Sequence, residues 1–582
     1  MEEKLYNIRH SLAHLLAIAS LEHDRDAKLS VGPVTDNGFY YDIDFSDDKT
    51  LTPEDLKVLE RTMIKQINKK LSFVRKEVSA EDARKQFTNN PYKLAIIDDI
   101  EKSGEAVSLY STGDFVDLCE GKHVENTSEI NAKCFTLTHL AGAYWRGDEK
   151  NPMLTRIYGV AFETEEELKA YLLQQEEAKK RDHRKIGQDQ ELFFIDEMVG
   201  KGLVMWLPKG TIIRDTIEKF AVKTEEENGY LRVVTPLIAK EELFLTSGHL
   251  PYYKDDMYPP MVMDDGTYYL RAMNCPHHHR IFCHKPHSYR DLPLRYAEYG
   301  TVYRNERSGT LAGLLRVRAL AMNDAHIYCR KDQVEAEFQS VMKLIMNYFE
   351  VFGLGDYWFR LSKWSPEHKE KYIDQPENWE YAESVLRKVL QDMHVNFVEV
   401  ENEAAFYGPK VDVQFKSIIG REETMSTIQL DFLAKERFGL EYTDSDGSKN
   451  NEVFVIHRAP LSTHERFLAF LIEHYAGAFP LWLAPVQVVV LPIGENHQVY
   501  AKEVTDTLKA KNIRVELDLD NNSLGKRVRN AKMQKVPYLI VIGDKEVEGK
   551  CVTLEHRSEG SLGSKTLEEC TNLFEEIIAS KG

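Results

Sequence analysis

The sequence predicts a multidomain α+β protein, on three observations. The chain has 582 residues, enough for about four domains at roughly 150 residues each. A charged helical segment at 164–183 separates a mixed region from a longer one, and beyond residue 482 the pattern changes again, to short apolar strands alternating with helices. The predicted parts are 1–163, a linker helix at 164–183, 184–482 and 483–582.

The first part opens on the amphipathic RHSLAHLL. The linker TEEELKAYLLQQEEAKKRDHRK carries Thr164 and Glu167 at capping-box spacing and runs from acidic to basic, as the helix dipole prefers. Turn glycines and a new apolar pattern then begin in GQDQELFFIDEMVGKGLVMWLPKG. After FPLWLAP (479–485), VQVVVLPI, a helix from Val499 to Lys511, IRVELDL, the basic helix LGKRVRNAKMQK and YLIVIGD alternate as β, α, β, α, β. That alternation predicts a small parallel α/β domain.

Hydrophobic residues at 42% and charged residues at 29% exclude a disordered, fibrous or disulfide-framework protein. The formal charge of −19 argues against a general nucleic-acid coat, which needs clustered basic side chains, but leaves room for local basic patches. The seven cysteines form no CxxC pair, and no apolar run approaches the roughly 18 residues of a membrane span. Reduced thiols, a cytoplasmic location and no membrane partner are the expectation.

Two constellations could carry chemistry. His10 and His14 stand one helical turn apart, and DLCEGKH supplies Cys119 and His123; these residue types suit zinc. VYRNERSGTLAGLLRVRAL places Arg304, Glu306, Arg307, Arg316 and Arg318 around a Ser-Gly-Thr turn, as a hairpin that could aim guanidinium groups at phosphate.

Taken in order, these motifs resemble the threonyl-tRNA synthetase family of class II aminoacyl-tRNA synthetases over nearly the whole chain. The resemblance implies an editing domain (1–163), a linker helix, a class II catalytic core on a mixed antiparallel sheet (184–482) and an α/β anticodon-binding domain (483–582). The expected form lacks the family's more N-terminal ubiquitin-like domain. The implied reaction activates threonine with ATP, transfers it to tRNA(Thr) and hydrolyses mischarged seryl-tRNA(Thr), in a homodimer.

Residue by residue, KFAVKTEEENGYLRVVTPLI looks like motif 1, and YRNE looks like motif 2, with Arg304 at the α-phosphate and Glu306 near the adenine or amino-acid end. Arg316, and Arg466 of HERF, would clamp the outer phosphates with Mg²⁺. Cys275 of RAMNCP, His326 of NDAHIYC and His457 of VIHRAP match the family's ligands to one Zn²⁺, and Asp324 would accept from the threonine hydroxyl. The neighbouring His277, His278 and His279 are expected in packing or at the surface. Tyr407 and Lys410 of FYGPK and Gln429 of TIQLDF would contact adenylate and amino acid, and His249 of TSGH would assist transfer to the tRNA.

His10, His14, Cys119 and His123, with Lys93 and Asp117, match the editing centre. The residue types favour zinc there; the resemblance favours a metal-free site, which is the reading followed. Glu546 and Arg557 are the expected anticodon contacts, with Lys526, Arg527, Arg529, Lys532 and Lys535 as a basic face. Leu320, Met322 and Met425-Ser426 depart from the family pattern around ATP and threonine. A prolyl enzyme of the same class would share motif 2 but gives no reason for the Cys275/His326/His457 set.

Overall fold

The computed structural model describes residues 2–368, 371–417 and 422–582, and its contacts divide the chain into two compact units, Met1–Glu176 and Glu177–Gly582. In the first, helix α1 (Glu2–His23) buries Leu12, Leu15 and Leu16 in a core shared with strand β1 (Gly38–Asp44) and helix α2 (Asp55–Asn68). A small antiparallel sheet of β2 (Phe73–Val78), β3 (Val107–Thr112) and β4 (Phe115–Leu118) stands beside helix α3 (Pro91–Ser103). The larger sheet of this unit continues with β5 (Phe135–Tyr144) and β6 (Met153–Ala161), in the order β1-β6-β5.

Helix α4 (Glu165–Arg181) begins as the sequence predicts. The Thr164 hydroxyl accepts from the Glu167 amide, and the Glu167 carboxylate accepts from the Thr164 amide. Leu168 alone of its side chains is buried, so the helix is held by its cap and its charge order more than by a core. The two compact units part within it.

In the second unit, helix α5 (Pro208–Glu227) starts with proline at its first turn, where a missing N–H costs nothing. The strands are β7 (Leu231–Arg232), β8 (Leu294–Tyr303), β9 (Ala319–Arg330), β10 (Tyr357–Ser362), β11 (Phe397–Val400), β12 (Lys410–Lys416), β13 (Glu422–Asp431) and β14 (Val453–Ala459). They form one sheet in the order β7-β8-β9-β14-β13-β12-β10-β11, antiparallel except at its two edge pairings. Helix α6 (Cys275–Phe282) precedes β8. On α7 (Val334–Val351), Val334, Phe338, Val341, Ile345 and Phe349 make a buried stripe at helical spacing. The stripe shares a core with Ala325, Ile327 and Cys329 of β9, Ile428 and Leu430 of β13, and Ile456 of β14. Helices α8 (Pro376–Asp392) and α9 (His464–His474) add to the same core.

The C-terminal domain contains β15 (Val488–Pro492), α10 (Gln498–Ala510), β16 (Val515–Leu517), α11 (Leu524–Met533), β17 (Tyr538–Ile542), β18 (Cys551–His556), β19 (Gly560–Thr566) and α12 (Leu567–Ala579). Strands β16, β15 and β17 are parallel, as predicted, but β18 and β19 join antiparallel, so the sheet is mixed. Only Arg557, Ser558 and Glu559 separate the last two strands, and a loop that short permits only a hairpin.

This domain is tied to the segment before it through main-chain oxygens. Arg514 donates to the carbonyls of Ala484 and Trp482 at 2.9 and 2.6 Å, and Arg557 to that of Ala478 at 2.8 Å, while its other terminal nitrogen holds Lys535 O within the domain at 3.0 Å. Residues 177–582 accordingly form one compact unit across the sequence boundary expected at 482–483. Among the described residues, no helix is long and apolar enough to cross a membrane.

Leu430 is fully buried on the central strand β13. Leu430→Ala should cost ~2–5 kcal/mol by lost transfer energy plus a cavity, read as a fall in the urea midpoint.

Candidate functional site

Sheet register builds the floor of the site. His326 of β9 lies opposite His457 of β14, His457 opposite Gln429 of β13, and Gln429 opposite Lys410 of β12. Cross-strand neighbours project from the same face, and so do residues two apart along a strand. Asp324 therefore joins the row from β9, while Ala325 and Ile327 point into the opposite core. Cys275 comes from the first turn of α6, and its sulfur and one ring nitrogen each of His326 and His457 lie within 4.8 Å of one another.

The donor set suits a soft cation with nitrogen and sulfur ligands. His326 Nε2 is buried without a hydrogen-bond partner, which is costly unless something else occupies its lone pair. Burial opposes a charge on His457, but Cys275 and Asp431, whose Oδ2 is 3.0 Å from Nε2, outweigh it and push the imidazole up to about 10. These surroundings attract positive charge. Asp324 accepts from Asn274 Nδ2 at 3.0 Å, and burial raises its carboxyl above the usual range.

Above this floor opens a cavity of about 590 Å³, within the range of small-molecule sites. Arg304, Arg316 and Arg466 converge on it. Burial lowers the pKa of Arg466, and the like charges of Arg304 and Arg316 lower it further. Glu306 pairs with Arg316 at 2.8 Å and neutralises part of this cluster, leaving excess positive charge for an anion. Tyr407 donates its hydroxyl to Gln429 Oε1, and Lys410 pairs with Asp412 at 2.9 Å. The glycine of FYGPK has a steric reason: a Cβ on Gly408 would stand 1.9 Å from the Leu430 carbonyl oxygen. His249 is buried rather than in an exposed loop, with Nδ1 2.7 Å from Ser247 Oγ, and burial, with His457 and Arg437, lowers its pKa to about 3. It is a neutral imidazole at pH 7.

The first unit holds a second centre. Cys119 Sγ lies 3.3 Å from His10 Nε2 and 3.4 Å from His123 Nε2, and the ring of His14 is 4.3 Å from that of His123. Ser11 Oγ, from the same turn of α1, stands 3.1 Å from His123 Nδ1. A Cβ on Gly121 would come within 2.2 Å of the His10 ring, which explains the glycine of DLCEGKH. Lys93 and Asp117 form an almost fully buried ion pair at 2.5 Å, and Tyr41 donates to the same carboxylate. A cavity of about 670 Å³ is lined by His10, His14, Tyr41, Lys93, Asp117 and Cys119. Burial lowers the pKa of all three histidines and pushes the Cys119 thiol up to about 12.

Comparison with known proteins adds the family. Residues 261–475 match the tRNA synthetase class II core domain (G, H, P, S and T), residues 487–577 an anticodon binding domain, and residues 107–158 the threonyl and alanyl tRNA synthetase second additional domain. The threonine–tRNA ligase of Anoxybacillus flavithermus is 50% identical over 570 residues, covering 97% of this chain and 87% of that one. The chain belongs to the threonine–tRNA ligase family. Threonine–tRNA ligase 1 of Bacillus subtilis is likewise 50% identical over 569 residues, with the same coverage. A crystal structure described as the RNA binding domain of threonyl-tRNA synthetase from Cryptosporidium parvum matches at a TM-score of 0.65 and 33% identity, over 68% of this chain and 98% of that one.

Several expectations for this family member need correction. Arg307 and Arg318 do not line the cavity; Arg318 donates instead to the carbonyls of Glu306 and Lys201. Arg557, expected at the anticodon, has both terminal nitrogens on the main-chain carbonyls of Lys535 and Ala478. Arg527 is buried on the carbonyls of Asp518 and Pro492, and Lys535 donates to Ala476 O, so the basic face reduces to Lys526, Arg529 and Lys532, the last paired with Glu555. Glu546 spends both carboxylate oxygens on Gly543 N and Thr553 Oγ1. His277, His278 and His279 are all buried, which removes the surface reading.

Sequence reasoning missed Tyr41 and Asp431. The alternation of GFYYDID turns Tyr41 inward, and Asp431 follows Gln429 by two residues on one strand face.

A nucleophilic cysteine needs thiolate, and Cys119 has little of it. At pH 8, Cys119 should alkylate with iodoacetamide more slowly than Cys551, as read by peptide mass spectrometry.

Proposed function

We propose that this chain is a threonine–tRNA ligase of the cytoplasm that forms threonyl-adenylate, charges tRNA(Thr) and hydrolyses seryl-tRNA(Thr). The observation that carries the reading is the convergence of Cys275, His326 and His457 beneath Arg304, Arg316 and Arg466, in a chain of this family. In the first step a threonine carboxylate oxygen attacks the α-phosphate of ATP and pyrophosphate leaves. Arg304 stabilises the charge that grows on the α-phosphate, while Arg316 and Arg466 hold the outer phosphates. Mg²⁺ bound with ATP would neutralise the remaining phosphate charge.

Cys275, His326 and His457 would hold Zn²⁺, whose open coordination positions would take the amino and hydroxyl groups of threonine. Asp324 accepts the hydroxyl hydrogen. Valine lacks that hydroxyl and would leave Asp324 with its bond from Asn274 and no donor on the substrate side, which such a site rejects strongly. Gln429, oriented by Tyr407, and Lys410 position the amino acid and adenylate. In transfer, the terminal ribose hydroxyl of the tRNA attacks the threonyl carbonyl and AMP departs; neutral His249 can accept a hydrogen bond from that hydroxyl.

Serine keeps the hydroxyl and lacks one methyl, a difference worth only about 1–3 kcal/mol. A second, hydrolytic site meets that shortfall. His10, His14, Cys119 and His123 would orient water against the seryl ester without a required metal, and the Lys93–Asp117–Tyr41 network holds the polar wall rigid. The homodimer reading is supported by motif 1, where Leu231, Val234, Leu237 and Ile238 are exposed. Lys526 and Arg529 offer phosphate contacts for the tRNA.

Threonine-dependent ATP–pyrophosphate exchange tests the first site. Arg304→Ala should lower it about 100- to 1,000-fold, and exchange at the unaltered rate would overturn its assignment. The double change His10→Ala, His14→Ala should leave charging intact and let seryl-tRNA accumulate; prompt deacylation by that variant would remove the editing assignment.

A further inference from the structure

A buried file of three side chains ends at the candidate zinc site. Glu298 Oε2 is 3.1 Å from His278 Nε2, and His278 Nδ1 is 2.8 Å from His326 Nδ1. Glu298 is at most 4% exposed, and His278 and His326 are fully buried. The file is anchored at its far end, where Glu298 accepts from the Thr235 amide at 2.9 Å and the Thr235 hydroxyl at 2.8 Å, beside Arg271 at 3.4 Å. Burial raises the carboxyl of Glu298, but His278, Thr235 and Arg271 more than offset it and hold the group down to about 2.

The contact with Glu298 sets the direction at one end of the file, and a neutral His278 passes it on. A carboxylate only accepts, so His278 Nε2 is the donor; when the His278 ring is neutral it has one donor and one acceptor, and Nδ1 then accepts. His326 Nδ1 must then carry the hydrogen, and His326 Nε2 is left bare. That same Nε2 is the buried nitrogen without a hydrogen-bond partner. The opposite polarity would aim an N–H at Cys275 and His457, where it would repel a cation.

We propose that His278 is a positioning residue that relays the Glu298 carboxylate to His326, fixing the tautomer and ring orientation in which His326 can bind the metal. The inference rests on the zinc reading of Cys275, His326 and His457. His457 has the same support in direct form, from Asp431 at 3.0 Å. For His326 a relay is needed because Glu298 lies opposite Asp324 in the sheet, two residues from His326, and the ring of His278 fills the gap. Cys275 and His278 are three apart on α6, so one helical turn supplies both a ligand and the support of another ligand. Partners of this kind are worth about 10- to 100-fold in metal affinity in other sites.

The test uses the full chain with His278→Leu and His278→Gln. Glutamine can accept through its carbonyl and donate through its amide, so it can restore the polarity of the relay. The readouts are zinc content, zinc retention across a chelator series, the visible spectrum of the Co²⁺-substituted protein, and KM for threonine and for ATP in pyrophosphate exchange. The Leu variant should lose zinc about 10- to 100-fold more readily, show an altered Co²⁺ spectrum and raise KM for threonine but not for ATP; the Gln variant should recover most of this. Zinc held equally by wild type and the Leu variant, or equal losses in Leu and Gln, would overturn the relay. A wild-type chain that binds no zinc would overturn the metal reading itself.

Discussion

The antiparallel register of β9, β14, β13 and β12 is the constraint on which the catalytic unit depends. It carries His326, His457, Gln429 and Lys410 across four strands in one row, although the first and last stand far apart in sequence. A slip of one residue in any pairing would turn that strand's polar residues into the core and its apolar ones into the cavity. The apolar face of the same strands, packed under α7, is what makes such a slip expensive. Core and site are thus two faces of one pattern, and the packing energy that stabilises the fold also fixes the positions of the polar groups.

The first unit builds its centre differently. There a helical turn presents His10 and His14, and a loop brings Cys119 and His123 to meet them, with no sheet row between. The buried Lys93–Asp117 pair stands where desolvation is costly, and the added hydrogen bond from Tyr41 helps to offset that cost. A polar wall so constructed has few alternative arrangements, and it holds the lining of the cavity in one geometry.

Much of this was legible in the sequence, for reasons that differ from part to part. The capping box at Thr164 and Glu167, and the β-α-β-α-β alternation after residue 482, are local signals and appear where they were expected. The His10/His14 and Cys119/His123 spacings are local too, whereas the Cys275/His326/His457 set came from the family resemblance, since its separations carry no local signature. What stayed hidden was the fate of individual charges. Nothing in LGKRVRNAKMQK marks Arg527 as buried on two carbonyls while Arg529 is exposed, and TLEHR does not reveal that Arg557 faces inward. Nor does CPHHH separate the histidine that touches His326 from its neighbours; spacing from Cys275 becomes informative only once a helix is known to begin there.

Arg514 and Arg557 hold the C-terminal domain by main-chain oxygens, which every residue type presents. An arginine that meets only carbonyl groups is indifferent to the side chains around them. Ala478 and Ala484 can therefore change as far as these bonds are concerned, provided the backbone keeps its course. Side chains of the domain that stand away from this joint carry none of its attachment, so their identity is set by other demands than the seating of the domain.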